Sequence, residues 1–260
     1  MPFCHNNGIR YYAFDLFPRG LVQAVFTRQG GISPAPWDSL NVGGTVGDDK
    51  ERVRENRQRS FNALGRGLES LFDVWQVHSA DAVFADAPRP PELDHYKADI
   101  IFTDKPDVTL YMRFADCVPI LLHDPKKKVA GIAHAGWLGT VRATSSAAVR
   151  AMTEHYGSRP EDIQAAIGPS IGVDHYEVGP DVIARVNETF GADATKLIEV
   201  RDGKTYLDLW AANRLQLEQS GVRQIEVAGL CTACHLEDWY SHRAENGKTG
   251  RFGALIALEA

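Results

Sequence analysis

The stretch VTLYMRFADCVPILLHDPKKKVAGIAHAGW, residues 108–137, decides the fold. It contains three apolar, β-branched runs, which predict strands over Val108–Phe114, Val118–His123 and Val129–Ala133. Only short connections separate these runs, and Asp124-Pro125 marks one of them as a turn. Strands that follow one another so directly favour a mixed sheet over a regular alternation of strands and helices.

The remainder of the chain adds further strands and four helices. Aspartate caps, a proline in first position and terminal glycines set the helix boundaries. Helices are predicted from after Asp49 to about Leu64, from after Gly139-Thr140 to about Tyr156, from Pro180 to before Gly191, and from about Asp208 to Gly221. Further strands are predicted over Ala24–Thr27, Val74–Val77, Ile100–Thr103, Ile163–Ile167 and Gln224–Ala228. These elements predict one α/β (α+β) domain over residues 1–260.

Composition and charge limit the classes of protein to which the chain can belong. Hydrophobic residues make up 44% of the chain and charged residues 24%, which predicts a soluble protein with a substantial core. The net charge of −6 argues against nucleic acid as the main partner, because phosphate backbones attract basic surfaces. No run approaches the ~20 apolar residues that span a membrane. Because Met1–Asn6 lacks a signal-peptide pattern and cysteines are few, we expect a cytoplasmic protein, monomeric or weakly dimeric.

Three residues near predicted strand ends form a candidate metal site. They are His78, Cys117 and His134. Two imidazoles and a thiol can hold a tetrahedral metal and leave one position open, as catalytic sites do. Asp116, beside Cys117, is suited to orienting a ligand imidazole or a water. A competing interpretation makes Cys117 a nucleophile activated by His134, and the sequence alone does not separate the two.

Arg57 is the most informative charged residue. Helical periodicity places it on one face with Val53 and Phe61, so its guanidinium lies in the middle of an apolar stripe. An unpaired buried charge is costly, which means that Arg57 must meet a carboxylate, a ligand anion or carbonyl groups. A structural ion pair and a phosphate-binding or transition-state role are both open.

Other segments suggest anion binding. Gly136 and Gly139 directly precede a predicted helix and leave backbone N–H groups free at its start. A tight strand-to-helix turn is the alternative interpretation of these two glycines. Arg243 and Arg251, near the end of the chain, are further anion-binding candidates.

The segment Cys231-Thr232-Ala233-Cys234-His235 has the spacing of a c-type haem attachment site. Haem attachment requires export, and the absence of a visible signal argues against it. A redox role or a second metal site for these cysteines remains open.

Taken together, a series of short motifs resembles the YfiH-type family, whose members are variously labelled polyphenol oxidoreductase (laccase), purine nucleoside phosphorylase and peptidoglycan editing factor. The resemblance runs nearly from end to end of the chain. Its motifs are Ser39–Gly43, Val46–Asp49, Glu55–Arg57, Gln76–His78, Ala115–Pro119, His134–Trp137, Gly168–Gly172, Tyr176–Gly179, Ser241–Arg243 and Thr249–Arg251.

The resemblance implies a fold, a metal and a set of site residues. The fold is a single domain of two packed mixed β-sheets flanked by helices. The metal is usually zinc, with copper as an alternative occupant, held by His78, Cys117 and His134. Arg57, Asp116 and Cys117 are the implied or inferred catalytic residues, with Asp116 as the proton donor. The residues that we assign to substrate or phosphate binding are Asn41, Gln76, Gly136, Arg243 and Arg251.

The implied reaction is phosphorolysis of purine nucleosides to free base and ribose 1-phosphate. Inosine, adenosine and methylthioadenosine are the expected substrates, and deamination of adenosine is ascribed to the same centre. The chain departs from the family pattern at Leu138, where a basic residue is common, and at Ser79, where glycine is common. Arg142, one helical turn beyond Leu138, could supply the missing charge.

Two other reactions compete with phosphorolysis. A copper-dependent, laccase-like polyphenol oxidase needs about ten histidines with His-x-His pairs; this chain has nine histidines and no such pair. A hydrolase that edits cell-wall precursors would use Cys117 in an amidase-like reaction. Chelation and thiol alkylation would distinguish the metal-dependent reaction from the thiol-dependent one.

Overall fold

The computed structural model describes residues 3–259 and contains two six-stranded sheets, one two-stranded sheet and five α-helices in that range. The helices are α1 (Lys50–Ala63), α2 (Trp137–Val141), α3 (Thr144–Tyr156), α4 (Pro180–Phe190) and α5 (Leu209–Gln219). The strands are β1 (Phe3–Asn6), β2 (Ile9–Tyr12), β3 (Leu21–Phe26), β4 (Leu71–Phe72), β5 (Ala82–Phe84), β6 (Ile100–Thr103), β7 (Thr109–Phe114), β8 (Val118–Asp124), β9 (Val129–Ala135), β10 (Gln164–Ile167), β11 (Ile198–Arg201), β12 (Lys204–Leu207), β13 (Gln224–Val227) and β14 (Phe252–Leu258).

Both large sheets are mixed, as predicted. The first has the order β1-β2-β3-β14-β7-β4, and its only parallel pair joins β4 to β7. The second has the order β13-β10-β8-β9-β6-β5, with parallel pairs at its two edges. Its centre is the antiparallel β8–β9 hairpin, which the turn at Asp124-Pro125 closes. Each of these two strands is buried along its whole length, which explains their nearly continuous apolar sequence.

The two sheets pack face to face and helices cover their outer faces. Alternate residues of β6 show this layering, since Ile101 joins the core between the sheets whereas Ile100 and Phe102 face the core beneath α3 and α5. On the other side, Phe61 of α1 packs on the outer face of the first sheet. Successive side chains of a strand point to opposite faces of its sheet. The molecule therefore has three hydrophobic cores, one between the two sheets and one between each sheet and the helices that cover it.

Two predicted elements differ from the structure. Residues Val74–Val77 form no strand, because the Gln76 side chain bonds the backbone of Arg113 and takes the place of a backbone partner at the edge of β7. The helix predicted to run from Gly139-Thr140 is divided into α2 and α3. Ala143, between them, has a left-handed backbone with φ of 59°, which breaks the helical hydrogen bonding.

The structure also bears on membrane insertion. Among the described residues, no helix combines the length and the apolar character that crossing a bilayer requires.

Candidate metal centre

His78, Cys117 and His134 converge, with one possible ligand atom from each lying within 4.8 Å of the others. The two imidazole rings have centroids 4.9 Å apart. His78 is exposed, Cys117 is half-buried and His134 is only 4% exposed. The cluster therefore reaches from the buried sheet to the surface, with its deepest ligand in the sheet and its outermost ligand at the solvent.

Strand register explains why these distant residues meet. The β8–β9 ladder pairs Pro119 with His134, which places Cys117, two residues before Pro119, beside Gly136. His134 is the penultimate residue of β9, and Cys117 occupies the tight connection from β7 into β8. His78 comes from a loop rather than from the strand end that the sequence predicted.

Asp99 supports two of the three candidate ligands. This fully buried carboxylate accepts a hydrogen bond from Nδ1 of His134 at 2.7 Å, which leaves Nε2 of that ring free to bind a metal. Its other oxygen accepts from the backbone N–H groups of Val77 and Ser79, at 3.0 and 2.6 Å. Asp99 thus orients the His134 ring and holds the loop on both sides of His78.

Sequence reasoning missed Asp99 and assigned the role of orienting a ligand imidazole or a water to Asp116. The contact with the imidazole belongs to Asp99, whereas one oxygen of Asp116 accepts from the Thr232 hydroxyl at 2.6 Å and the other from the Arg243 backbone N–H at 2.7 Å. Both oxygens are used to hold neighbouring loops, which also argues against Asp116 as the proton donor. The signal for Asp99 was its position directly before the predicted strand Ile100–Thr103.

The electrostatics of the two histidines differ. Burial alone would lower the pKa of His134, but the Cys117 thiolate and the Asp99 carboxylate outweigh burial and raise this pKa to about 9. For His78, burial and the neighbouring charge of His134 lower the pKa. A bound metal would have to displace the proton of His134, since a ligand imidazole must be neutral on its metal-binding nitrogen.

The backbone around the ligands adopts conformations that cost energy. His78 and Asp116 have φ values of 58° and 72°, in the left-handed region that residues other than glycine seldom adopt. Gly136 is required for a different reason: a Cβ on it would lie 2.7 Å from Sγ of Cys117 and 3.4 Å from Nδ1 of His78. The backbone at Gly136 therefore forms a close wall of the centre, and strain of this kind is typical of functional sites.

A Gly136→Ala substitution should weaken zinc binding by about tenfold, because the new methyl group would displace the Cys117 sulfur. Zinc affinity measured by competition with a chromogenic chelator tests this expectation. Gly20→Ala is the matched control, since its Cβ would meet nothing closer than 3.7 Å. Equal zinc affinity in the Gly136→Ala variant and the wild type would show that this close approach does not shape the centre.

The chemistry of the cluster fits a metal ion. Two imidazoles and one thiolate match the donor types of zinc, and three protein ligands leave a fourth position for substrate or water. The supporting carboxylate and the glycine wall both maintain the geometry of the ligand atoms. Arg142 donates to the carbonyl oxygen of His78, so a positive charge does reach the edge of the centre despite Leu138.

Arg57 and Gln76 lie in a neighbouring ionic cluster around Asp73. Arg57 donates through Nε and Nη2 to the carbonyl of Val42, at 3.0 and 2.9 Å, and its Nη1 lies 4.0 Å from Asp73. Its charge therefore meets both a carbonyl and a carboxylate, two of the partners that the sequence left open. Gln76 uses its amide on the backbone of Arg113, which gives it a structural role, and its contact with substrate stays a prediction.

Asp73 is a buried carboxylate with an excess of positive neighbours. Arg89 and Arg113 form ion pairs with it at 2.8 and 3.0 Å, and His95 approaches to 3.1 Å. Burial alone would raise the pKa of Asp73, but the His95 hydrogen bond and the charges of Arg113 and Arg57 hold it far below 3.8. One carboxylate among three guanidinium groups leaves this side of the molecule positively charged.

This depressed pKa predicts acid sensitivity. A carboxylate whose pKa is lowered by folding stabilises the protein fully above its unfolded-state pKa of about 4, and the stabilisation is lost as the pH falls further. Thermal unfolding at pH 6 and at about pH 2.5 should show a marked loss in wild type. The loss should be smaller in Asp73→Asn and unchanged in Asp94→Asn, where the replaced carboxylate is exposed. An equal acid response in all three proteins would contradict the assignment.

Asn41 and Arg251 lie together behind the centre. Asn41 is fully buried; its oxygen accepts from the backbone N–H groups of Gly43 and Arg251, and its nitrogen donates to Asp48 and Gly43. Its amide therefore has no free hydrogen-bonding group in the described structure, and its role in substrate binding stays a prediction. Arg251 uses only Nη1 within the described protein, on the carbonyls of Thr249 and Gly250.

Tyr176 and Arg243 form an aromatic and cationic side of the centre. The Arg243 guanidinium lies 5.1 Å from the centroid of the Tyr176 ring and donates to the carbonyl of Glu177. The Arg243 backbone N–H donates to Asp116, the residue before Cys117, which places the pair near the candidate ligand. Burial and the nearby charge of Cys117 raise the pKa of Tyr176. Sequence reasoning quoted Tyr176 in a motif and gave it no role.

Comparison with known proteins identifies the family. A family model described as multi-copper polyphenol oxidoreductase laccase matches residues 22–259. A Deinococcus radiodurans protein named purine nucleoside phosphorylase is 41% identical over 235 residues, which cover 90% of this chain and 88% of that protein. Bacillus subtilis purine nucleoside phosphorylase YlmD is 37% identical over 241 residues, covering 90% of this chain and 87% of that protein.

Solved structures confirm the predicted fold class. The crystal structure of YlmD from Geobacillus stearothermophilus superposes with a TM-score of 0.92 at 34% identity, covering 100% of this chain and 99% of that one. Bacillus licheniformis YfiH gives the same TM-score at 32% identity, covering 99% of both chains. The chain therefore belongs to the multi-copper polyphenol oxidoreductase laccase family, the family of YfiH and YlmD.

Proposed function

We propose that the protein is a metal-dependent purine nucleoside phosphorylase. The observation that carries the proposal is a three-ligand cluster with an open position, bordered by arginines, in a chain 41% identical to a protein with that name. The substrates would be a purine nucleoside such as inosine or adenosine, and inorganic phosphate. The products would be the free base and ribose 1-phosphate.

Three residues would bind the metal and a fourth would support them. His78, Cys117 and His134 would hold zinc, and Asp99 would keep the His134 ring in the tautomer that binds it. When bound, zinc supplies Lewis acidity, which stabilises negative charge on a departing purine or activates a water. Copper would satisfy the same donors, but zinc suits the tetrahedral arrangement of nitrogen and sulfur without a redox function.

Arginine side chains near the centre would bind the phosphate. Nε and Nη2 of Arg251 have no hydrogen-bond partner within residues 3–259, and the charges of Cys117 and Asp116 act on that guanidinium. Arg57 and Arg113 extend the positive field toward Asp73, where the guanidinium charge exceeds the carboxylate charge. Such groups would attract the phosphate dianion and hold it for attack on the anomeric carbon, where orientation contributes most of the rate.

Tyr176 is suited to contact the purine. An aromatic ring beneath a guanidinium offers a flat apolar surface of the kind on which a base stacks. On the other side of the centre, Phe114 packs against His134 at a centroid distance of 5.4 Å and excludes water from the buried ligand. The base would then lie between the aromatic residue and the metal ligands, with the ribose toward the arginines.

One alternative has a specific observation in its favour. Cys117, His134 and Asp99 are connected in the order of a thiol–imidazole–carboxylate triad, which would make Cys117 the nucleophile of a hydrolase acting on cell-wall precursors. The position of His78 beside both reactive groups favours metal binding, since such a triad has no use for a second imidazole. A laccase-like copper oxidase is disfavoured, because residues 3–259 contain only one other metal-ligand cluster and it has a single histidine.

Product analysis tests the proposal. The zinc-loaded protein is incubated with inosine and phosphate, and the products are separated by chromatography. We expect hypoxanthine and ribose 1-phosphate in equal amounts, whereas hypoxanthine with free ribose would indicate hydrolysis and contradict the proposal.

Adenosine in place of inosine tests the second activity, since deamination would produce inosine before any base is released. Activity abolished by iodoacetamide but untouched by chelation would support the thiol hydrolase instead.

A further inference from the structure

A second set of metal-binding side chains lies apart from the candidate active centre. Four side chains each offer one ligand atom, and these atoms all lie within 4.8 Å of one another. The residues are Asp174, His175, Cys231 and Cys234. Nδ1 of His175 lies 3.0 Å from Oδ2 of Asp174, 3.5 Å from Sγ of Cys234 and 3.7 Å from Sγ of Cys231. All four cysteines of the chain are free, so both thiols are available.

We propose that these four residues bind a structural zinc ion. Two sulfurs, one imidazole nitrogen and one carboxylate oxygen are all zinc ligands, and four protein ligands complete a tetrahedron. Unlike the first centre, which has three ligands, this site has four and leaves no coordination position open. Catalytic zinc sites keep such a position and structural sites fill it, which assigns this second site to stabilising the fold.

The backbone holds the two halves of the site together. Asp174 and His175 follow Ser170, and Ser170 pairs with Cys231 through hydrogen bonds on either side, from Ser170 N–H to the Leu230 carbonyl and from Thr232 N–H to the Ser170 carbonyl. This pairing brings the loop after β10 against the segment that follows β13. Main-chain pairing therefore holds together the two segments that carry the four side chains.

Gly172 supplies two features that a thiolate site needs. Its N–H donates to Sγ of Cys231 at 3.2 Å, and a backbone donor of this kind stabilises negative charge on sulfur. A Cβ on Gly172 would lie 2.5 Å from Oδ1 of Asp174 and 3.1 Å from Cβ of Cys231. Only glycine allows the two ligand-bearing segments to approach so closely.

The motif that resembled haem attachment takes part without its histidine. His235 turns away from the cluster and lies 3.2 Å from the carboxylate of Glu237, so the third ligand is His175, 56 residues before Cys231. A haem would need the cysteines and His235 on one surface. A disulfide between Cys231 and Cys234 would not explain why Asp174 and His175 lie against the same two sulfurs.

The proposed zinc would stabilise the surroundings of the first centre. Thr232, between the two cysteines, donates to Asp116, which adjoins the candidate ligand Cys117. Tyr176 follows His175 directly and forms the aromatic side of the active centre with Arg243. A metal that joins the two segments would thereby fix the position of Tyr176 and of the loop that leads into Cys117.

Counting zinc in purified variants tests the proposal. Protein saturated with zinc and freed of excess metal is analysed by elemental mass spectrometry. Wild type should hold two equivalents, and Cys234→Ser and Cys117→Ala should each hold one. A protein with both substitutions should hold none. Cys4→Ser, at a cysteine outside both sites, is the matched control and should keep two. Because Cys234 is exposed, its substitution should leave the circular dichroism spectrum unchanged.

Cobalt provides a readout of the ligands themselves. In Cys117→Ala, which lacks the first centre, bound cobalt should show tetrahedral absorption and a sulfur-to-cobalt band from two thiolates. The additional Cys234→Ser substitution should remove that spectrum. No bound zinc in Cys117→Ala, a zinc content in Cys234→Ser equal to that of wild type, or a Cys231–Cys234 disulfide in protein purified without oxidant would overturn the proposal. The metal count is independent of the reaction, so failure of the phosphorylase assay would leave this test intact.

Discussion

Replacing Cys117 with alanine should lower phosphate-dependent base release by about a thousandfold, because the substitution removes one of three ligands of the proposed metal. Lewis-acid stabilisation of the departing base contributes several kcal/mol, and roughly 4 kcal/mol corresponds to that factor in rate. The same substitution should remove one equivalent of bound zinc. Steady-state assays with inosine and metal analysis of the same preparation check both expectations.

Cys4→Ser is the control for loss of a thiol, since Cys4 lies on β1 in the first sheet, away from both clusters. It should keep the wild-type rate and metal content. A Cys117→Ala protein that loses its activity but binds as much zinc as wild type would separate the sulfur from the metal and favour Cys117 as a nucleophile. A fully active Cys117→Ala protein would contradict any catalytic role for this residue.

Asp99→Asn should weaken zinc binding at the active centre by between about 10-fold and 100-fold, the usual cost of losing a carboxylate that supports a ligand histidine. The carboxylate accepts from three donors, namely Nδ1 of His134 and the N–H groups of Val77 and Ser79. An amide has only one oxygen, and its NH₂ group would face at least one of these donors. Either the His134 ring or the His78 loop must move, and both carry ligands.

Competition with a chelator measures this loss of affinity, and the rate at saturating zinc shows whether the geometry recovers once the metal is bound. Asp81→Asn is the matched control, because Asp81 is an exposed carboxylate two residues beyond Ser79. Unchanged zinc affinity in Asp99→Asn would show that the contact between Asp99 and His134 does not govern the ligand. That result would favour the alternative in which Cys117, His134 and Asp99 act as a thiol–imidazole–carboxylate triad.

The fold was predictable where apolar runs are long and unbroken. β8 and β9 are buried on both faces, so their sequence is nearly continuously apolar and the hairpin between them was evident. β14 was missed although it is equally buried, because Gly253, Ala254 and Ala257 have little intrinsic preference for strands. Its small residues have a packing reason: a Cβ on Gly253 would lie 2.0 Å from the Tyr111 hydroxyl of the neighbouring strand.

The candidate ligands were predictable because each has a local signal. His78, Cys117 and His134 are polar residues beside apolar runs, and a shared context suggested a shared site. Roles that depend on hydrogen bonds to distant backbone were not predictable. Gln76 resembles a substrate ligand in sequence, yet it completes the edge of β7, and Asp99 acts on His134 only because β6 and β9 are paired in a particular register.

The second cluster shows the same limit in another form. The Cys231–Cys234 spacing was visible, but its histidine partner lies 56 residues away and the neighbouring His235 does not take part. Only the pairing of Ser170 with Cys231 brings His175 to the cysteines. Local spacing therefore left a redox role and a second metal site open, whereas the topology of the chain brings a complete set of possible ligands together.

Stepwise addition of zinc to metal-free protein, with base release from inosine followed in the presence and absence of phosphate, tests the proposed centre most directly. We expect no release without metal, a rate that rises with added zinc until the centre is filled, and no release when phosphate is omitted. A full rate in the metal-free protein, or an equal rate without phosphate, would contradict a metal-dependent phosphorylase.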